Sequence, residues 1–305
     1  MAIHSTPRFV AVDWGTSSFR AWLVDAAGRV LAERRSAEGM TVARETGFRE
    51  ILDSHLAAMQ APNGLGVVIC GMAGARQGWV EAGYLDCPAA LDDLAARAVR
   101  VAHPARDIRI LPGVAQRDAD HPDVIRGEET QLLGLARDHA GAQMVVMPGT
   151  HSKWVWLAGS TLAGFSTHMT GEIFQALTSA TLLKHAVEGA QGRRDHAAFR
   201  AGVAETFAAP AGWSSRLFEV RGRQLLFEAD ADAARDRISG ILIGAEIASG
   251  LAQGTGGSPA RILASGRLAD LYIEAFELLG IAFAVEDADR AVLAGLTLAA
   301  GRIWP

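Results

Sequence analysis

This 305-residue chain has two cysteines, two lysines and no apolar run of bilayer length. Cys70 and Cys87 belong to no CxxC pair, which excludes a zinc ribbon or disulfide framework and predicts two reduced, largely buried thiols. No apolar stretch reaches the roughly 18 residues of a membrane span, and Met1 to Arg8 lacks a basic segment followed by an apolar one. The expectation is a cytoplasmic protein with no membrane partner. No GxxxxGK[ST] is present, which excludes a P-loop, and no GxGxxG follows a suitable strand. A G-x-S-x-G elbow is missing too, so nucleophilic hydrolysis has no evident seat. A formal charge of -5 supplies no broad basic field for a nucleic-acid backbone. Basic charge comes from arginine, with Lys153 and Lys184 the only lysines.

What the chain has is a repeat. Gly15-Thr16-Ser17-Ser18-Phe19-Arg20-Ala21-Trp22-Leu23 recurs without a gap as Gly149-Thr150-His151-Ser152-Lys153-Trp154-Val155-Trp156-Leu157. Each copy follows a short apolar run, Phe9 to Val12 or Met144 to Met147, and so sits on a tight turn between strands. Half the residues are apolar, enough for a substantial core, and the length predicts two domains of roughly 150 residues. Paired half-molecules, each with a Gly-Thr-x-Ser turn, predict a phosphate chain held in a cleft between them.

Strands are predicted at 8–13, 19–25, 29–34, 66–70 and 108–111, with helices at 45–60 and 89–98. The second half repeats the plan with strands 143–148, 153–158 and 161–167 and a helix at 172–187. A helix at 238–252, strand 261–264, helix 267–279, strand 281–285 and helix 288–301 follow, with 188–236 an unreadable helical insert and Gly254 to Pro259 a surface loop. Three antiparallel strands followed by alternating helices and strands describe mixed-sheet α/β domains.

Asp13 precedes the first turn, which places a carboxylate beside backbone N–H groups and the Thr16, Ser17 and Ser18 hydroxyls, suited to phosphate oxygens and, through water, to Mg²⁺. Lys153 is close enough to the second turn to put a cation near transferring oxygens, His151 can donate there, and Arg20 holds a similar place in the first copy. Transfer to an alcohol also needs a proton acceptor. Gly127-Glu128-Glu129-Thr130-Gln131 opens a helix, where acidic side chains also complement the macrodipole by roughly 0.3 to 1 kcal/mol. Either glutamate, or Asp123 nearby, could be the acceptor. Arg76, Gln77 and Trp79 lie on the glycine-rich loop Gly71 to Trp79, which suits a small polyol acid, the guanidinium fork matching a carboxylate. Arg117 and Arg126 compete for that role. Ser265 and Gly266 form a small-residue turn between a strand and a helix, where adenine could lie against backbone.

This arrangement resembles the superfamily of sugar kinases, heat-shock chaperones and actin. The resemblance implies two ribonuclease-H-like domains, about 1–130 and 131–305, with the last helix docking back on the first domain and the active site in the cleft. In those terms Asp13 to Ser18 is the first phosphate motif, Gly149 to Ser152 the second, and Leu263 to Leu268 the adenosine motif. The Gly-Asp-Gln base motif of the glycerol-kinase branch falls on Gly127-Glu128-Glu129, implying Glu128 as base with Glu substituted for Asp. More narrowly, VDWGTSSFRAW, GMAGARQGW, IRGEETQLLGL, MPGTHSKW, MTGEIF and ASGRLADLY are similar to the 2-dehydro-3-deoxygalactonokinase family, from about residue 9 to residue 301. That similarity implies ATP- and Mg²⁺-dependent phosphorylation of the 6-hydroxyl of a keto-deoxy sugar acid in galactonate catabolism, with a homodimer possible. Alternatives are a kinase for another sugar or sugar acid, or a nucleotide-gated binding protein of the actin kind.

Overall fold

Along β1 (Pro7–Trp14) successive side chains face opposite sides of a sheet. Val10, Val12 and Trp14 enter one core while Phe9 and Ala11 enter another, and the same alternation puts Asp13 on the second side. The computed structural model describes residues 6–137, 141–254 and 259–305, which fall into two units. Unit 1 holds the chain up to Gly141, Leu157–Gly164 and Ala288–Pro305; unit 2 holds Ala142–Trp156 and Phe165–Asp287.

In unit 1, β1 is followed by β2 (Phe19–Asp25) and β3 (Val30–Ser36), an antiparallel meander. The single helix expected at 45–60 is two, α1 (Met40–Thr46) and α2 (Phe48–Ala58). They break at Gly47, whose φ of 110° is open to glycine and strained for other residues. Then come β4 (Gly66–Gly71), β5 (Tyr84–Asp86), β6 (Ala89–Ala90), β7 (Val99–Val101), β8 (Ile108–Ile110), β9 (Gly113–Gln116), β10 (Asp123–Ile125) and α3 (Glu128–Ala136). The main sheet has the order β3-β2-β1-β4-β8-β7, and β5, β9 and β10 make a small second sheet.

The helix expected at 89–98 is not there. Ala89 and Ala90 pair as a strand with Leu162 and Thr161, the Leu91 N–H donates to the Ser160 carbonyl, and only a 3-10 turn, Leu91–Leu94, remains. Tertiary pairing overrides the helical preference of an Ala- and Leu-rich segment.

Unit 2 contains β11 (Ala142–Met147), β12 (Ser152–Ala158) and β13 (Thr161–His168), whose short connections make them antiparallel. The tip of the β12–β13 hairpin, Leu157–Gly164, belongs to unit 1. The helix expected at 172–187 divides into α4 (Thr170–Ala180) and α5 (Lys184–Val187). The unreadable insert is α6 (His196–Ala208), α7 (Trp213–Phe227) and the start of α8 (Ala231–Gln253), followed by β14 (Ala260–Leu263), α9 (Arg267–Leu279) and β15 (Phe283–Glu286). Residues 255–258 of the expected surface loop lie outside the described residues.

The order β13-β12-β11-β14-β15, with β14 parallel to both β11 and β15, matches β3-β2-β1-β4-β8 of unit 1. Both units are therefore ribonuclease-H-like α/β folds. The chain ends in α10 (Ala288–Ile303), which lays Val292, Leu296 and Ala299 on the Phe9, Ala11 and Trp22 side of the first sheet. It crosses α3 closely because Gly134 and Gly295 carry no Cβ; one added at Gly295 would meet the Thr130 carbonyl oxygen at 1.9 Å. No helix among the described residues is long and apolar enough to cross a membrane.

Candidate functional site

The first turn begins where β1 runs out. The Gly15 N–H donates to the Ser18 carbonyl at 2.9 Å, closing the turn, and Thr16, Ser17 and Ser18 are exposed. The start of α1 seats it from behind: Met40 N–H donates to Gly15 O at 2.9 Å and Thr41 N–H to Thr16 O at 3.1 Å. Gly39 permits this approach, since a Cβ there would fall 2.4 Å from Thr16 O. With the turn's carbonyls engaged behind it, the exposed hydroxyls are presented on the outer side.

Asp13, Arg20 and Cys70 are cross-strand partners on the α10 side of the sheet. Arg20 bridges Asp13, at 2.5 Å, and Asp289 in the first turn of α10, while Arg35 also pairs with Asp289 at 2.8 Å. Arg20 is thus committed to two carboxylates. Burial pushes the Asp13 carboxyl up from its ordinary value, against the pull of Arg20. The same burial, together with the charges of Asp13 and Glu129, pushes the Cys70 thiol well up, which keeps it protonated and unreactive. Asp289 was not found in the sequence; it lies 269 residues from Arg20 with no local pattern to mark it.

Next to this cluster, α3 opens with two carboxylates in different surroundings. Glu128 is partly exposed and accepts the Arg126 N–H at 3.0 Å. Glu129 is fully buried and accepts the Gly127 N–H at 2.6 Å and the Thr130 hydroxyl at 3.0 Å. Burial, reinforced by the neighbouring Glu128 charge, pushes the Glu129 carboxyl up to about 7. Of the pair, Glu128 is the one that solvent reaches. Asp123 lies on β10 and accepts the Val124 N–H at 2.7 Å.

In the glycine-rich loop after β4, Arg76 and Gln77 are exposed, and neither side chain has a hydrogen bond or ion pair among the described residues. Trp79 is half-buried, stacked on Phe48 at 5.9 Å and edge-on to Trp14 at 6.2 Å, so it anchors the loop in the core. The competing arginines are engaged: Arg117 pairs with Asp86 at 2.6 Å, and Arg126 donates to Gly83 O at 2.9 Å with its guanidinium over the Tyr84 ring.

Unit 2 builds its turn to the same plan. At the start of α4, Glu172 N–H donates to Thr150 O at 3.0 Å, and a Cβ on Gly171 would lie 2.6 Å from Gly149 O and 2.7 Å from Thr150 Cα. Glu172 also meets His151 Nε2 at 2.6 Å. Thr150 and His151 are exposed, whereas Ser152 and Lys153 are buried, Lys153 Nζ donating to the His151 carbonyl at 2.6 Å. Beside this turn is a pocket of about 240 Å³, lined by Gly149, Gly171, Phe174, Arg235, Leu268 and Leu271 among others. Ser265 and Gly266 immediately precede its α9 wall, Gly266 at a φ of 66°. Phe174 and Arg235, whose guanidinium lies 5.6 Å from the ring, were not anticipated from sequence. The MTGEIF segment was the one available signal.

Residues 13–299 match the family model for 2-keto-3-deoxy-galactonokinase. The chain belongs to the 2-keto-3-deoxy-galactonokinase family. It is 54% identical to a Rhizobium meliloti protein described as a probable 2-dehydro-3-deoxygalactonokinase, over 97% of this chain and 98% of the relative. It is 33% identical to the 2-dehydro-3-deoxygalactonokinase of Escherichia coli, over 95% and 97% of the two chains. A crystal structure from Sinorhizobium meliloti, provisionally described as a 2-dehydro-3-deoxygalactonokinase, superposes with a TM-score of 0.94 at 55% identity, covering 97% of this chain and 99% of that one. In this kinase family member, the exposed Arg76 and Gln77 belong to unit 1 and the pocket beside the Gly149–Ser152 turn belongs to unit 2.

Proposed function

We propose that the protein uses ATP to phosphorylate the 6-hydroxyl of 2-dehydro-3-deoxy-D-galactonate, giving 2-dehydro-3-deoxy-6-phosphogalactonate for galactonate catabolism. Family membership carries the reading, and the matching seats of the two Gly-Thr turns support it. The adenosine end enters the unit 2 pocket, its base against Phe174 and Leu268 and its ribose near Ser265 and Gly266. The backbone N–H and hydroxyl of Thr150, with His151, grip phosphate oxygens, and Lys153 adds positive charge behind them.

The acceptor sits in unit 1. The carboxylate takes the unpaired Arg76 fork, Gln77 binds a hydroxyl, and Trp79 holds the loop in shape. Glu128 receives the proton of the 6-hydroxyl as its oxygen attacks the γ-phosphorus and the bond to the β-phosphate oxygen breaks. Thr16, Ser17 and Ser18 hold the transferring phosphate, and Arg20 sets the orientation of Asp13. Transfer requires that the γ-phosphoryl group held by unit 2 reach the hydroxyl held by unit 1.

Mg²⁺ fits this donor set in one way. Among the described residues no three ligating side chains gather, and Mg²⁺ commonly binds through one or two carboxylates with phosphates and waters completing its shell. Asp13 is that carboxylate, and the ion would neutralise charge on the phosphate oxygens.

Supply of ATP and two free thiols favour the cytoplasm. The exposed Phe218, Leu225, Leu226 and Phe227 of α7 favour a homodimer, which sedimentation would check. ADP release measured against a panel of 2-keto-3-deoxy acids, aldonates and neutral sugars tests the function. Turnover should be confined to 2-keto-3-deoxy acids, and equal turnover with neutral sugars would overturn the reading.

A further inference from the structure

Behind the second turn runs a chain of four buried polar side chains: Ser152, Tyr272, Glu246 and Trp154. Glu246, on α8, accepts the Tyr272 hydroxyl at 2.6 Å on one oxygen and the Trp154 indole N–H at 2.9 Å on the other. Tyr272 commits its proton to Glu246, so the proton in the 3.0 Å contact between Tyr272 and Ser152 is the serine's. The Ser152 oxygen keeps its lone pairs for the Gly149 N–H, a long contact of 3.4 Å. Gly250 makes room for the Trp154 ring, which a Cβ there would meet at 2.1 Å.

We propose that Tyr272 is a positioning residue for the nucleotide phosphates: through Ser152 it fixes the shape of the Gly149–Ser152 turn from the helix that lines the nucleotide pocket. This rests on the reading of unit 2 as the ATP site. The hydrogen bonds run in one direction, from the turn to Glu246, and a reshaped turn would strand a buried donor or acceptor. Ser152 therefore points its proton inward and serves the phosphates only through the turn it holds. Outward, the turn offers its backbone, Thr150 and His151. Tyr272 also lines the pocket, on the helix that follows Ser265 and Gly266, so pocket wall and phosphate turn share one brace. Burial and the Glu246 charge push the phenol well above its usual range, which keeps it a donor at any working pH.

Tyr272→Phe removes one oxygen and keeps the ring. Titrating wild type, Tyr272→Phe, Ser152→Ala and the double variant with ADP and with adenosine gives the test. Each single variant should bind ADP about tenfold more weakly, with adenosine affinity and the KM for the sugar acid unchanged. The double variant should also lose about tenfold, because both changes cut one chain. Glu246→Gln keeps one acceptor oxygen for the two donors and turns an N–H toward Tyr272, reversing its contact with Ser152, so it should lose ADP affinity about as Tyr272→Phe does, with adenosine affinity unchanged. Equal losses for ADP and adenosine, additive losses in the double variant, or unaltered ADP binding in Tyr272→Phe would each overturn the proposal. Wild type that binds adenosine and ADP equally, or neither, would sink the ATP-site reading instead.

Discussion

In unit 1 the Gly15–Ser18 turn is backed by charge, Asp13 and Asp289 clasped by Arg20, whereas in unit 2 the Gly149–Ser152 turn is backed by a buried hydroxyl chain from Ser152 to Glu246. The seat is common to both: a glycine without room for a Cβ at the start of a helix, Gly39 just before α1 and Gly171 inside the first turn of α4, and a first-turn N–H that takes the threonine carbonyl. The repeat has kept the backbone contacts and changed the side chains behind them. In register, Asp13 and Trp14 of the first copy face Met147 and Pro148 of the second, so only one turn has an acid at its base. That difference fits a division of labour, with cation and acceptor chemistry on one turn and nucleotide phosphates on the other.

The largest effect expected from breaking the comparison lies on the acidic side. Glu128→Gln should lower kcat roughly 10²- to 10⁴-fold, the usual contribution of a positioned proton acceptor, while ADP affinity, which the proposed site assigns to unit 2, should hold. Turnover and ADP titration on one folded preparation check both halves. Near-wild-type turnover would remove Glu128 from the mechanism.

The shared seat gives the next effect. Gly171→Ala and Gly39→Ala each push a Cβ into backbone, 2.7 Å from Thr150 Cα and 2.4 Å from Thr16 O. A displacement near 1 Å can cost about 10²-fold in rate, and kcat/KM should fall by about that much in both. Gly171→Ala should also weaken ADP binding, whereas Gly39→Ala should leave ADP affinity intact. Identical ADP behaviour in the two variants would erase the distinction between the turns.

A smaller effect separates substrate recognition from chemistry. Arg76→Lys keeps the charge and loses the planar fork, and the KM for the sugar acid should rise about tenfold with kcat nearly unchanged. A KM within twofold of wild type would move the carboxylate to another cation.

Much of this was legible in the chain because the signals were local. The apolar run from Phe9 to Val12 and the small-residue turn Ser265-Gly266 before Arg267–Leu279 gave strand and helix to within a residue or two, and the repeated Gly-Thr turns emerge where they were expected. What stayed hidden depended on distant pairing. Asp289 acts on Arg20 from the far end of the chain, Tyr272 and Glu246 are ordinary core-helix residues until Ser152 lies beside them, and Ala89 becomes a strand only because Leu162 is there to pair with it. The glutamate pair could be read as functional, but two adjacent residues of one type give no hint that one is buried at 0% exposure and its neighbour is not.

The smallest effect concerns that pair and is one of stability. The Glu129 carboxyl titrates near 7 in the folded chain, against 4.5 for the ordinary side chain. A group whose folded value is raised binds its proton more tightly in the native state, so its contribution is fully present below about pH 4.5 and is lost as pH rises through about 7. A shift of this size corresponds to at most about 3 kcal/mol, which in a chain of this length is several degrees of Tm. Glu129→Gln cannot titrate, so the Tm of wild type minus that of Glu129→Gln should fall between about pH 5 and pH 7 and level off above, whatever its starting sign. Scanning calorimetry at half-unit intervals measures that slope. A flat difference would mean Glu129 is equally charged in the folded and unfolded chains, and the buried position beneath Glu128 would then be a hydrogen-bonding site alone.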